Sequence, residues 1–191
     1  MRVRRILAAV AAFSSILLLA AETDRFVRAT VEREYDFDAF SNPGKSWKDI
    51  TEKIGETYPG LTGTHLLLPT NSTGEIQISS GKERGTLVMP GFDDFSELTL
   101  SMTARRHTLP DEAKTVTVGW ISPSGAETND FASIELDTMM TESSVSLSAV
   151  PPGSSIILNN GGKKTKHRVI VDRLAFIRRH VPKPGLFIRI R

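Results

Sequence analysis

The 191-residue chain contains no cysteine. That excludes a disulfide framework, a cysteine nucleophile and a lipid-modified cysteine, so the fold must be held by packing alone. Aromatic residues are few, two Trp, two Tyr and nine Phe, which leaves little material for stacking against a ligand. The four histidines, His65, His107, His167 and His180, lack metal-ligand spacing, and neither an HExxH pair nor a G-x-S-x-G elbow occurs. Acidic residues are plentiful, but local context singles out no carboxylate pair for catalysis.

Long apolar runs are also missing, with one exception at the start. Residues 1–21 place Arg2, Arg4 and Arg5 before an apolar run from Ile6 to Ala20 and end in small residues. This is the layout of a secretory signal, and its core is shorter than the roughly 20 residues a spanning helix needs. Removing it predicts a secreted, periplasmic or cell-surface protein of about 170 residues, enough for one ordinary core. The expected organisation is a signal over 1–21, one domain over 22–181, and a tail or edge strand over 182–191.

Charge is unevenly distributed. Without the three leader arginines the net charge falls from +2 to about −1. Residues 163–191 hold ten Lys or Arg and one acid, Asp172, so about +9 sits there against about −10 on residues 22–162. The imbalance reads either as a basic tail or as intramolecular complementarity, which a central last strand would favour. Phosphate contacts would draw on Lys163, Lys164, Lys166, Arg168, Arg178 and Arg179. The exported, slightly acidic chain argues against nucleic acid; an acidic polysaccharide suits the same residues better.

What the sequence has in quantity is alternation. From Thr73 onward, short runs such as ELTLSMTA (97–104), TVTVGWI (115–121), ASIELD (132–137) and SVSLSAV (144–150) carry apolar residues at every second position. Loops rich in Gly, Pro, Ser and Asn separate them. TGEIQIS (73–79) and GTLVMP (85–90) flank a Gly81–Gly85 turn and suit a hairpin. The pattern predicts an all-β, antiparallel two-sheet sandwich. Before Thr73, SWKDITEKIGETY (46–58) reads as one or two helical turns, with Trp47, Ile50 and Ile54 at i, i+3 and i+7, or as a loop across the sandwich end.

One strand breaks the rule. HRVIVDRLAFIRR (167–179) carries Asp172 inside its hydrophobic run, and strict alternation would put Val169 and Val171 on one face but Leu174 and Phe176 on the other. A bulge at Asp172 would let all four reach the core.

Taken in order, YDFDAF (35–40), Trp47, GTHLLL (63–68), GTLVMPGFDDFSELTLSMTARR (85–106), KTVTVGW (114–120) and RVIVDRLAF (168–176) resemble the galactose-binding-domain-like jelly-roll modules of secreted bacterial proteins. The resemblance covers most of residues 30–180. It implies a jelly-roll β-sandwich similar to carbohydrate-binding modules, without catalysis. It also implies that acidic residues near the first and last strands, here Asp36, Asp38 and Asp172, hold a structural Ca²⁺; the alternative is that Asp172 pairs with a neighbouring Arg or amide. Sugar recognition needs an aromatic face together with polar groups for the hydroxyls. The candidates are Trp47, Tyr58 and Phe92 in irregular segments, and Arg105, Arg106 and His107 at the end of a long strand. Each has a plainer reading, the aromatics as caps of the sandwich and the polar cluster as a solvated loop. Alternatively, the chain is an adhesion or assembly protein whose terminal GLFIRIR pairs with a partner strand.

Overall fold

Period-two alternation becomes two faces in space. The computed structural model describes residues 28–80, 82–108, 114–159 and 168–180. The leader, the 182–191 segment, His167 and the lysines at 163, 164 and 166 lie outside these residues. In chain order the elements are β1 (Arg28–Tyr35), β2 (Ser41–Asn42), β3 (Lys48–Asp49), a single-turn helix α1 (Ile54–Thr57), β4 (Thr62–Thr64), β5 (Leu66–Leu68), β6 (Ser72–Thr73), β7 (Ile76–Ile78), β8 (Thr86–Met89), β9 (Leu98–Arg106), β10 (Thr115–Ile121), β11 (Thr128–Glu135), β12 (Thr141–Ser146), β13 (Ser155–Asn159) and β14 (Val169–His180).

The larger sheet runs β12-β9-β14-β7-β5-β3, with β1 also pairing β14, and the smaller runs β11-β10-β13-β8-β4. The registered pairs are antiparallel. The fold is the antiparallel two-sheet β-sandwich that the alternation predicts, of the jelly-roll type that the resemblance implies. Two compact units divide the chain, and Val31–Arg178 holds the sandwich. Of the other unit, the described residues are Arg28–Thr30 and Arg179–His180, where Thr30 Oγ1 lies 3.0 Å from His180 Nε2.

The core fills from both inner faces. Leu98, Leu100, Met102 and Ala104 of β9 meet Val116 and Val118 of β10, Leu87 and Met89 of β8, and Ile156 and Leu158 of β13 in one buried cluster. One expectation changes. TGEIQIS and GTLVMP are not hairpin partners: β7 pairs β5 and β14, whereas β8 pairs β4 and β13 in the other sheet. The segment between them crosses the sandwich, turning at Ser79, whose φ of +79° is left-handed and whose Oγ accepts the Gly85 N–H at 2.8 Å. In 46–58 only one helical turn forms; it buries Ile54 while Ile50 precedes it in the core, and Trp47 faces solvent beside β3.

β14 does contain the bulge. Val171 stands opposite Ala104 and Arg173 opposite Thr103, so Asp172 is the extra residue. Val169, Val171, Leu174 and Phe176 therefore all enter the core cluster. Magnitudes explain why the irregularity persists. Exposing Leu174 and Phe176 would cost about 3–6 kcal/mol, against about 1 kcal/mol for a ladder hydrogen bond lost at a bulge. Beyond the bulge the basic strand meets acids nearby: Arg173 pairs with Glu34, and Arg178 with Glu32 at 2.9 Å and Asp94 at 3.3 Å. For these arginines the charge imbalance is intramolecular complementarity. Such exposed pairs each contribute little, so burial rather than pairing dominates.

An aromatic group closes one edge of the core. Tyr58 meets Tyr35 and Phe37 edge-on, at ring-centroid distances of 5.9 and 5.5 Å, and Phe40 at 5.8 Å. Burial raises the phenol of Tyr35 above its ordinary value, and burial with a hydrogen bond to Asp36 pushes Tyr58 up to about 12.

Two expected outcomes follow from this packing. Phe176→Ala should lower stability by about 3–5 kcal/mol, whereas deletion of Asp172, which restores strict alternation and keeps Leu174 and Phe176 inward, should leave unfolding in urea cooperative. Loss of cooperative unfolding in the deletion variant would contradict the bulge. Because both tyrosines of the chain are shifted upward, their ultraviolet titration should fall above pH 10 in the native protein and near 10 in denaturant. Stability should drop as pH rises from 10 towards about 12, as the unfolded phenols ionise first. A native titration near pH 10 would contradict their burial.

Candidate functional site

Strand register decides which side chains share the outer face of the larger sheet. On β9 the residues between the core positions, Thr99, Ser101, Thr103 and Arg105, point outward, and His107 continues their alternation. Ile170 of β14 stands opposite Arg105 on one side and Gln77 of β7 on the other, and Gln77 stands opposite Leu67 of β5. Asp49 of β3 pairs with Leu67, so Trp47, two residues earlier, belongs to the same face. The floor of this face is small or neutral and closely covered: Ser101, Ile170, Ala175 and Gln77 are all buried. Ser101 donates to Glu142 Oε1 at 2.6 Å.

Three of the expected ligand residues meet here. Trp47, 40% exposed, is the only exposed aromatic side chain among the described residues. Its ring lies 6.5 Å from that of His107, with the planes tilted by 42°. Arg105 Nη2 lies 3.3 Å from Glu75 Oε2, each side chain about a quarter exposed. A partly desolvated pair of this kind holds donors and acceptors in fixed positions, as hydroxyl recognition requires. Gln77 adds an unusual feature. It is 1% exposed, its Nε2 donates to the Ser79 carbonyl at 2.7 Å, and its Oε1 has no hydrogen-bond partner among the described residues. An unmatched buried acceptor costs about 1–3 kcal/mol unless something satisfies it. The sequence concealed Gln77, since a glutamine between two isoleucines in TGEIQIS reads simply as strand.

The other three lie elsewhere. Arg106 follows the inward alternation at the sheet end, donates its N–H to the Asp137 carbonyl at 2.8 Å, and lines an open cavity of about 350 Å³ with Lys114, Glu135 and Asp137. Tyr58 is engaged in the aromatic edge, and its hydroxyl donates to Asp36 Oδ1 at 3.0 Å. Phe92 packs on Phe95 and Phe176 at 5.8 and 5.0 Å, and the guanidinium of Arg33 lies 4.3 Å from its ring centre. Both rings thus cap the core, and the surfaces a sugar would need are already in contact.

The three aspartates divide as well. Asp36 accepts from the Tyr58 hydroxyl and from the Asp38 N–H, the latter at 3.3 Å. Asp38 packs against Gly74, whose φ is +72° and where a Cβ would fall 2.6 Å from Asp38 Oδ1. Asp172 is close enough to feel it: burial first, then the charge of Asp38, raises the Asp172 carboxyl above its ordinary value, with Arg173 opposing. Among the described residues no three His, Cys, Asp or Glu side chains converge as a metal-holding group. Two like charges supply the field for a hard cation, but backbone carbonyls would have to supply most of its six to eight oxygens.

No protein-family model matches the chain, and no curated protein sequence matches it. Among solved structures, the module titled "BiXyn10A CBM1 APO" aligns at 16% identity and a TM-score of 0.45, covering 78% of this chain and 98% of its own. A family 29 carbohydrate-binding module aligns at 11% identity and 0.44, over 80% and 88% of the two chains. The CBM22-1 xylan-binding domain of Xyn10C from Paenibacillus barcinonensis aligns at 12% and 0.45, over 79% and 95%. These are distant likenesses of fold alone.

Proposed function

We propose that this chain is an exported, non-catalytic carbohydrate-binding module that takes its glycan across the outer face of the larger sheet. The observation that carries the reading is Trp47, the one exposed aromatic among the described residues, set beside His107 on the face that also holds Arg105, Glu75 and Gln77. The apolar face of a pyranose stacks on an indole, while its hydroxyls bridge fixed donors and acceptors. A sheet face of rigid strands holds such groups in place without a closing lid. Export is part of the proposal and rests on the leader-like residues 1–21.

A glycan-array screen tests the reading. Trp47→Ala should weaken binding of a captured sugar about tenfold, or ~1.4 kcal/mol, with little change in melting temperature because the ring is exposed. Phe92→Ala should lower the melting temperature and leave affinity of the folded fraction intact. Undiminished binding by the Trp47 variant would contradict the placement, and a folded protein that bound no glycan would contradict the function.

Calcium between Asp38 and Asp172 belongs to the same proposal. A carboxyl whose pKa rises on folding favours the fold in its protonated form, and that contribution is lost as pH rises through the folded value. Asp172→Asn should therefore raise the melting temperature at pH 7, with the advantage vanishing towards pH 3. Millimolar calcium should raise the melting temperature of the parent but not of the variant; equal responses would contradict a site at Asp172.

A further inference from the structure

A second polar recess opens beside the edge strand β3, where the turn Thr51–Lys53 faces the end of β4. It is a cleft of about 460 Å³ lined by Asp49, Thr51, Glu52, Lys53, Thr64 and His65. That volume lies within the range of small-molecule sites, about 300–1,000 Å³. Its walls are tied to the framework. Thr51 Oγ1 accepts the Leu66 N–H at 3.0 Å, Ile50 donates its N–H to the Leu66 carbonyl at 2.9 Å, and Thr64 Oγ1 lies 3.1 Å from Thr86 Oγ1. His65 is fixed twice, by a left-handed backbone (φ +49°) whose carbonyl accepts the Ser79 N–H at 3.0 Å, and by Glu83, 3.0 Å from Nδ1.

The cleft is rich in acceptors. With Nδ1 turned to Glu83, His65 leaves Nε2 for a ligand. Asp49 is kept ionised: hydrogen bonds from the Thr51 amide, donating to Oδ1 at 2.8 Å, and then from the Thr51 side chain hold its carboxyl below the ordinary carboxylate range. Neither Asp49 nor Glu52 is ion-paired within the described residues. Three carboxylates, Asp49, Glu52 and Glu83 behind the imidazole, stand against the single ammonium of Lys53. These groups do not converge as a metal site. They are spread around a space of molecular size, which suits a ligand offering a positive charge and several hydroxyl donors together.

We propose that this cleft is a second ligand site, for the protonated amine of an amino sugar, with Asp49 and Glu52 taking the ammonium and His65 and Thr64 the hydroxyls. The site is separate from stacking on Trp47 and does not depend on it. Its probe is glucosamine, titrated into the full chain by calorimetry alongside N-acetylglucosamine, which has the same ring and no charge. Glucosamine should bind at least tenfold more tightly than N-acetylglucosamine. Asp49→Asn, which keeps the oxygen that accepts the Thr51 amide, and the exposed Glu52→Gln should each weaken it about tenfold, and raised salt should weaken it further.

Trp47→Ala should leave glucosamine affinity unchanged even if neutral-glycan binding is lost, so the two sites can fail independently. Equal affinity for the two sugars, no glucosamine binding, or indifference to both carboxylate variants would overturn the proposal. So would loss of glucosamine binding in the Trp47 variant, which would make the two sites one. Nα-acetyl-lysine methyl ester binding as well as glucosamine would assign the cleft to a protein lysine and overturn the sugar assignment.

Discussion

The single extra residue in β14 is the constraint on which the larger sheet depends. β14 lies between β9 and β7 and also pairs β1, so its register sets which side chains of its neighbours face inward. With Asp172 accommodated as a bulge, Val169, Val171, Leu174 and Phe176 fill the core. The same step leaves Ile170 and Ala175 as the covered floor of the opposite face. Core and candidate ligand face are therefore two consequences of one irregularity. The carboxylate stands at this step, where burial first and then the charge of Asp38 raise its pKa above the ordinary value.

From that floor the rest of the outer face acquires its chemistry. Gln77 and Arg105 flank Ile170 across the ladder, and Arg105 is held by Glu75. Trp47 comes from the edge of the sheet and His107 from the end of β9, yet their rings meet at 6.5 Å. Residues 60 positions apart are joined by the fold, one from beside the edge strand β3 and the other from the end of β9. The outer face combines an exposed ring, paired charges and an unsatisfied buried acceptor.

Much of the fold was legible in the sequence because alternation is a local signal. ELTLSMTA became β9 with its apolar set inward, and the break at Asp172 told of the bulge because four hydrophobes could share a face in no other way. The 73–90 region misled, since two strands joined by a glycine-bounded turn look alike whether they pair or cross to opposite sheets. The site was less legible. Trp47, Tyr58 and Phe92 all sit in irregular sequence, and only the fold separates the exposed indole from the rings packed against Tyr35 or Phe176. Arg105 and Arg106 are neighbours whose side chains strand geometry sends to opposite sides. Gln77 and the cleft around His65 depend on contacts between distant segments, for which local pattern carries no signal.

The most direct test of the outer face as the ligand surface is an NMR titration of the protein with a glycan captured on an array, following the two tryptophan indoles and the glutamine side-chain amide. Trp120 packs against the core at half burial, so it serves as an internal reference. The account predicts that the Trp47 indole and Gln77 amide signals shift together with saturation while Trp120 stays fixed. Movement of Trp120 with Trp47 and Gln77 unchanged would place the ligand elsewhere on the sandwich and contradict it.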